Sequence, residues 1–226
     1  VAGFDKVRLL AETSMQHHAW PRVLPAYGIH PLYVDTATAS DLTTLDQYLR
    51  AHRPVAIGEI GLDAYAGAPD MTQQQTLFEA QLALAVQHQL PVLLHVRHAV
   101  EAVIQSLKRI QGSKNVLPGG IAHAFNGSES QADQLMRMGF LLGFGGSLSY
   151  EGSRRIRRLA SSLPLSHIVL ETDAPDMSPV WLHQTRNESA ELPKIAATLA
   201  KLRDIDCRLL AEQTTDNARR LIPALA

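Results

Sequence analysis

The sequence has a single cysteine, Cys207, among its 226 residues. No intrachain disulfide can therefore form, which favours a reducing compartment, and we expect a cytoplasmic location. The formal net charge is only -1 at pH 7. This balance excludes the bulk positive field of many nucleic-acid-binding proteins, although a few local arginines can still hold a phosphate group.

Long apolar runs, repeats and linkers are also absent from the sequence. No run of about 18 apolar residues occurs, so we expect no membrane span and no membrane partner. No motif indicates an obligate protein partner. The hydrophobic fraction of 46% is enough for a full core, and we expect residues 1–226 to form a single domain.

The sequence does contain a series of short apolar runs that alternate with longer amphipathic segments. This alternation predicts an α/β fold built from βαβ units around a parallel sheet. The sequence predicts seven strands, one fewer than the eight of a closed TIM-type (β/α)₈ barrel. The predicted strands are 7–11, 24–29, 55–60, 92–96, 120–125, 140–144 and 168–171, and the predicted helices are 72–89, 100–110, 128–138, 153–161, 188–202 and 208–221.

Four of these apolar runs lead into an acidic or imidazole residue, namely Glu59, His95, His123 and Asp173. Catalytic groups of α/β folds usually lie at the carboxyl ends of the strands. Two imidazoles and two carboxylates form a donor set that suits Zn or Mn, and also a hydrated Mg ion. The pattern therefore predicts a site for one or two divalent metal ions.

A set of short motifs resembles the TatD family of metal-dependent deoxyribonucleases, part of the amidohydrolase-like barrels. The motifs occur in the family's order and cover nearly the whole chain. The stretch Asp-Ala-Pro-Asp-Met at 173–177 is similar to the YjjV-type subgroup. The other motifs are Gly-Ile-His-Pro at 28–31, Gly-Glu-Ile-Gly-Leu-Asp at 58–63, Leu-His-Val-Arg at 94–97, His-Ala-Phe-Asn-Gly-Ser at 123–128, Gly-Phe-Gly-Gly at 143–146, Leu-Glu-Thr-Asp-Ala-Pro at 170–175 and Arg-Asn-Glu at 186–188.

The resemblance implies a metal-dependent hydrolase that cleaves phosphodiester bonds, with nucleic acid or another phosphoester as its substrate. Glu59, His95, His123 and Asp173 would hold the metal. Glu59 and Asp173 would be catalytic, because a carboxylate beside a metal can bridge two ions or accept a proton from water.

The same resemblance implies a substrate-binding role for three further residues, His30, Arg97 and Arg186. The planar guanidinium group of arginine is well suited to phosphate. Asp63 is open to two interpretations, since it could support the metal ligands or cap a loop. Glu171 receives no role from its position in the sequence.

One family feature does not occur in this chain. The family opens with a strand that ends in a His-x-His pair, and the 226 residues contain no such pair. We therefore expect the first strand and helix to be missing through an N-terminal truncation. Two alternatives remain open, which are an inactive scaffold without these ligands and a hydrolase of a small ester, lactone or amide on the same scaffold.

Overall fold

The computed structural model describes residues 1, 3–112 and 116–225. The chain divides into two compact units, and each is described by itself. The first unit comprises Val1–His95 and Gln105–Pro118, and the second comprises Val96–Ile104 and Gly119–Ala226. The prediction of one domain over residues 1–226 stays a prediction.

Three short parallel strands, in the order β1, β2, β3, form the sheet of the first unit. Ala26 pairs with Ala56, and Gly61 pairs with His95. The elements are α1 (Phe4–Gln16), β1 (Ala26–Tyr27), a 3-10 helix (Pro31–Thr36), α2 (Ala39–His52), β2 (Ala56–Gly61), α3 (Met71–His88) and β3 (Val92–His95), followed by α4 (Val100–Gln111).

The strand predicted at 7–11 is wrong, because these residues lie inside helix α1. Ion pairs from Arg8 to Asp5 and to Glu12 join positions three and four apart, which are neighbours on a helix but not on a strand. Phe4 and Ala11, seven residues apart, are the buried apolar positions of α1. A short apolar run does not distinguish a strand from part of a helix.

The second unit also has three parallel strands, in the order β4, β5, β6. All five residues of β5 are buried, as expected for a strand covered on both faces. The elements are β4 (Gly120–Ala122), α5 (Glu129–Arg137), β5 (Phe140–Phe144), α6 (Arg154–Ser162), β6 (Ile168–Leu170), α7 (Leu192–Arg203) and α8 (Cys207–Leu221), with 3-10 helices at Gly146–Ser149, Leu165–His167, Val180–Leu182, Ser189–Glu191 and Pro223–Leu225.

Six strands are thus present in the described part of the chain, instead of the predicted seven. Each of the other six predicted strands coincides with an observed one, although most are shorter than predicted. Helix α2 is absent from the sequence-based prediction. Within the described ranges, no helix is both long and apolar enough to cross a membrane.

Candidate functional site

A cluster of titratable side chains lies at the carboxyl ends of the strands of the first unit. Glu59 lies within β2, and His95 is the last residue of β3. Glu59 Oε1 is 2.8 Å from His95 Nδ1, and His30 Nε2 is 3.1 Å from the same nitrogen. His30, Glu59 and His95 each offer one ligand atom, and these three atoms lie within 4.8 Å of one another.

The close approach of β2 to His95 depends on Gly61. This residue has a φ of +146°, a conformation that side chains disfavour. A Cβ at Gly61 would lie 2.1 Å from the carbonyl oxygen of His95. The next residue, Leu62, donates its N–H to that oxygen at 3.0 Å. The glycine of the Gly-Leu-Asp segment therefore lets the chain pass beside His95 and brings Asp63 to the imidazole.

Asp63 is almost fully buried, with its side chain 1% exposed, and Oδ2 lies 2.8 Å from His95 Nε2. Its other oxygen, Oδ1, accepts the N–H of Tyr65 at 2.8 Å. Burial lowers the pKa of His95, but hydrogen bonds to Glu59 and Asp63 outweigh this effect, and the pKa lies above its usual value. The ring thus lies between two carboxylates, one on each nitrogen.

Two buried glutamines of α3, seven residues apart on one face of the helix, hold the segments that carry this cluster. Gln74 accepts the N–H of Asp63 at 2.8 Å and donates to its carbonyl oxygen at 3.0 Å. Gln81 makes the same pair of bonds to Ile29, at 2.7 and 3.0 Å. Each glutamine amide bonds both backbone groups of one residue, as a neighbouring strand would. The backbone is therefore held in place at Ile29, next to His30, and at Asp63.

The hydrogen bonding of His30 indicates which nitrogen carries its proton. The N–H of Leu32 donates to His30 Nδ1 at 3.2 Å, so Nδ1 is an acceptor. In the neutral ring the proton therefore lies on Nε2, the nitrogen that faces His95 and Glu59. His30 thus presents an N–H donor to the cluster.

A second cluster lies at the ends of the strands of the second unit. His123 follows β4, and its Nδ1 is 2.9 Å from Glu171 Oε2. Its other nitrogen, Nε2, is 3.4 Å from Asp173 Oδ1. The side chain of Asp173 is 39% exposed, compared with 15% for that of Glu171. One carboxylate is therefore enclosed, and the other is open to solvent.

Arg186 lies in an exposed loop that a buried amide ties to the segment after Asp173. Asn187 is 1% exposed, its N–H donates to the carbonyl oxygen of Pro175 at 2.9 Å, and its side chain donates to that of Asp176 at 2.8 Å. Asn187 thus fixes the backbone that carries Arg186. Arg97, also exposed, follows β3 by two residues.

The structure brings Glu59 and His95 together with His30 in the first unit, and His123 together with Asp173 in the second. Sequence reasoning missed Gln74, Gln81, Asn187 and the role of Glu171. Both glutamines occupy positions on the buried, otherwise apolar face of α3. A polar side chain at such a position needs a buried hydrogen-bond partner, and this is the signal in the sequence that could have identified them.

The donor chemistry of both clusters fits a divalent metal ion. Each supplies a carboxylate oxygen beside an imidazole nitrogen, the combination that Zn and Mn accept. In each cluster a further carboxylate already occupies the other nitrogen of the imidazole. Such outer partners orient the histidines of metal sites. The residues present therefore fit the metal that the sequence predicts.

Comparison with known proteins agrees with this chemistry. Residues 2–223 match the family model described as TatD related DNase. The chain is 32% identical over 221 residues to the uncharacterized metal-dependent hydrolase YabD of Bacillus subtilis, covering 98% of this chain and 85% of that protein. It is 36% identical over 199 residues to the 3'-5' ssDNA/RNA exonuclease TatD of Erwinia tasmaniensis, covering 86% and 76%.

The solved structures confirm the predicted fold class and the subgroup. The crystal structure of YjjV from Escherichia coli, a TatD homolog, superimposes with a TM-score of 0.89 at 31% identity, covering 98% of this chain and 83% of that one. A TatD-family hydrolase from Entamoeba histolytica gives a TM-score of 0.81 at 20% identity, which is a likeness of fold. With its α/β fold of the TIM-barrel type, the chain belongs to the TatD family of metal-dependent hydrolases.

Proposed function

We propose that this protein hydrolyses phosphodiester bonds of nucleic acid, as a TatD-type deoxyribonuclease. The observation that carries the proposal is the approach of Glu59 Oε1 to 2.8 Å from His95 Nδ1 at the ends of parallel strands, with His30 Nε2 3.1 Å from the same nitrogen. The names of relatives such as the Erwinia exonuclease support a nucleic-acid substrate.

The proposed metal ligands are Glu59 and His95 in the first unit and His123 and Asp173 in the second, for one or two ions of Zn, Mn or Mg. When bound, such an ion polarises a phosphoryl oxygen and lowers the pKa of water. Glu59 supplies negative charge next to His95, which suits a cation at this position.

Asp173 is the proposed general base. Its side chain is the most exposed of the cluster at 39%, so water can reach the carboxylate. Glu171 already bonds His123 and the N–H of Ala124, so Asp173 is the more accessible of the two carboxylates of this cluster. A positioned base of this kind contributes about 10²- to 10⁴-fold to a rate.

Arg186, Arg97 and His30 are the proposed substrate-binding residues. Both arginines are exposed, and the guanidinium fork can donate hydrogen bonds to two phosphate oxygens. His30 would donate its Nε2 proton to a phosphate oxygen, because its Nδ1 is already an acceptor. The single cysteine of the chain supports a cytoplasmic location.

A substrate panel tests the proposal. The wild-type chain and Glu59→Gln are assayed with end-labelled single-stranded DNA, bis-p-nitrophenyl phosphate and the neutral ester p-nitrophenyl acetate, each with Zn²⁺, Mn²⁺ or Mg²⁺. We expect metal-dependent cleavage of both phosphodiesters by the wild type, loss with EDTA and loss in Glu59→Gln. Asp46→Asn, which removes a carboxylate that bonds His88 instead, is the matched control and should retain activity.

Two results would contradict the proposal. Faster turnover of the neutral ester than of either phosphodiester would assign the site to a small ester, lactone or amide. A chain that binds no divalent metal and cleaves none of the substrates would be an inactive scaffold.

A further inference from the structure

A cavity of about 600 Å³ in the second unit is lined by none of the residues that have been given a role above. Its walls come from the 3-10 helix at Gly146–Ser149, from the segment that leads into α6, and from α6 and α7. The lining comprises two cations, two hydroxyl groups, one carboxylate and the apolar side chains of Ala197 and Leu202. Its volume lies within the range of sites that bind small ligands.

The two hydroxyl groups of the lining already donate to the protein itself. Ser149 donates to the carbonyl oxygen of Gly146 at 2.6 Å and accepts the N–H of Val180 at 2.8 Å. Thr198 donates to the carbonyl oxygen of Lys194 at 2.8 Å, one turn earlier on α7. A hydroxyl group has a single proton to donate, so recognition of a ligand falls to the charged groups.

The two cations of the lining are Arg157 and Lys201. Nη1 of Arg157 donates to the carbonyl oxygen of Leu148 at 2.9 Å, which fixes the guanidinium group at the cavity. Among the residues that the structure describes, neither cation forms an ion pair, whereas the neighbouring Arg158 pairs with Glu129. Two cations without a paired carboxylate at one cavity favour an anionic ligand.

The walls of the cavity are tied to each other and to the loop that follows Asp173. Nη1 of Arg203, at the end of α7, donates to the carbonyl oxygen of Ala160 on α6 at 2.6 Å. The hydroxyl group of Tyr150, which lies between two lining residues in the sequence, donates to the carbonyl oxygen of Ser178 at 2.9 Å. The cavity is therefore preformed beside the segment that carries the proposed base.

We propose that this cavity is a second phosphate subsite, which binds a phosphodiester group of the nucleic-acid strand away from the bond that is cleaved. This inference rests on the proposed function, because it takes the substrate strand as the ligand. The guanidinium of Arg157 donates to the phosphate oxygens, and the ammonium of Lys201 neutralises their charge. The exposed Arg154 and Arg155 extend the positive charge along α6, where the neighbouring phosphates lie.

Glu151 is the one carboxylate of the lining, and it gives the proposal a test of opposite sign. Its side chain is exposed, and it forms no ion pair with another described residue. A carboxylate repels phosphate, so Glu151→Gln should strengthen the binding of an anion. The same substitution would weaken the binding of a cationic ligand.

The test measures the binding of a fluorescent oligothymidylate of about 12 nucleotides, a length typical of single-strand binding sites, by anisotropy in EDTA over a range of salt concentrations. The wild type is compared with Arg157→Gln, Lys201→Gln, the double variant and Glu151→Gln. Arg208→Gln is the matched control, because it removes one exposed positive charge that pairs with Glu212 on α8. Binding of inorganic phosphate is followed separately by ³¹P line broadening, and urea unfolding checks that each variant is folded.

We expect the affinity for the strand to fall about tenfold in Arg157→Gln and about threefold in Lys201→Gln, whose amine is fully exposed to solvent competition. In the double variant the slope of log K against log salt should decrease by about 0.7, the value for one phosphate of a single strand. Glu151→Gln should bind more tightly than the wild type, and Arg208→Gln should match it. If Arg157→Gln does not fold, Lys201→Gln and Glu151→Gln carry the test.

Kinetics connect the cavity to the substrate. A dinucleotide has a single phosphodiester, which the metal site occupies during cleavage, so none is left for the cavity. The two cation variants should therefore raise KM for the longer strand more than KM for the dinucleotide. Equal changes in both KM values would place the effect at the cleaved bond and overturn the inference.

Affinities and salt slopes of the variants that equal those of the wild type would also overturn it, as would weaker binding in Glu151→Gln. Inorganic phosphate that binds the wild type but not the double variant, while the strand binds both alike, would assign the cavity to a free anion instead. In all these cases the wild type still cleaves phosphodiesters, so the proposed function stands. A wild type that neither cleaves nor binds the strand would contradict the proposed function, and this inference with it.

Discussion

The two clusters differ more in their surroundings than in their chemistry. Both pair an imidazole with an outer carboxylate that is fixed by a backbone N–H. In the first unit that carboxylate is almost fully buried, and two buried glutamines of α3 hold the neighbouring segments. In the second unit the corresponding carboxylate, Glu171, is 15% exposed, and the nearby loop is held by Asn187. The inner carboxylate is also more exposed there, at 39% for Asp173 compared with 30% for Glu59.

This difference shows how one kind of contact can serve two purposes. A rigid, enclosed cluster suits a ligand set that has to be preformed before metal binds. An exposed carboxylate suits a group that exchanges protons with water. If the proposed function holds, we expect the first cluster chiefly to retain the metal and the second to transfer protons, and the following variants test that division.

The largest effect is expected for Asp173→Asn. An amide keeps the shape of the side chain but cannot accept the proton of water as a carboxylate does. Phosphodiester turnover should fall by at least about 10²-fold, while the free energy of unfolding stays near that of the wild type. Steady-state kinetics with saturating metal measure the effect.

The matched control for this variant is Asp176→Asn, an exposed aspartate three residues further along the same loop. Its turnover should equal that of the wild type. If both variants lose activity alike, the loss reflects the loop and not a base at Asp173. If neither does, proton transfer belongs elsewhere.

A smaller effect is expected for Gln81→Leu, which tests the rigidity of the first cluster. The amide of Gln81 satisfies both the N–H and the carbonyl oxygen of Ile29, and both would be left buried without a partner. Each unsatisfied group costs about 1–3 kcal/mol. Urea unfolding should show this loss of stability, accompanied by weaker metal binding next to His30.

Gln73→Leu is the control for Gln81→Leu, because Gln73 lies on the same helix but is exposed. Its free energy of unfolding should change by no more than about 0.5 kcal/mol. Equal destabilisation by both substitutions would show that leucine disturbs α3 as a whole. The glutamine would then have no special part in the cluster.

These contacts mark the limit of what the sequence predicts. The alternation of apolar runs predicts the strands that carry Glu59, His95 and His123, because burial on both faces leaves a strong pattern. The pattern fails at 7–11, where Leu9 and Leu10 lie on a helix with most of their surface exposed. Four apolar residues and Arg8 within five positions are too short a segment to show whether the apolar period is that of a strand or of a helix.

The sequence does not predict which residues contact the side chains of the site. Glu171 contacts His123 across 48 positions of sequence, and Gln81 contacts Ile29 across 52. No local spacing encodes such pairs, because they arise only when neighbouring strands and helices pack. A buried polar residue in the sequence shows that some partner is needed, but not which one.

In the second unit, Arg186→Ala is expected to weaken substrate binding. Loss of a charge-assisted contact to phosphate should raise KM for single-stranded DNA about tenfold and leave kcat nearly unchanged. Hydrolysis of a neutral ester, if measurable, should not change. Arg208→Ala removes an exposed arginine that pairs with Glu212 on α8 and serves as the control. An equal rise in KM for both variants would point to net charge instead.

The smallest effect is expected at the carboxylate–imidazole pair that belongs to neither cluster. Asp46 Oδ1 lies 2.6 Å from His88 Nε2, and the hydrogen bond from His88, assisted by Arg50, holds the pKa of Asp46 below its ordinary value. A depressed carboxylate pKa stabilises the fold above the unfolded pKa of about 3.9 and loses that contribution as pH falls below it.

Urea unfolding of the wild type and Asp46→Asn between pH 3 and pH 7 measures this contribution. The wild type should be more stable by about 0.2–1 kcal/mol near neutral pH, because the pair is partly exposed, and the difference should shrink below about pH 4. Metal affinity should be the same in both proteins at neutral pH. A difference in stability that grows as the pH falls would contradict the sign of this linkage. A loss of metal binding in Asp46→Asn would show that a carboxylate–imidazole pair outside both clusters affects the metal, which would contradict the proposal that Glu59 and His95 bind it.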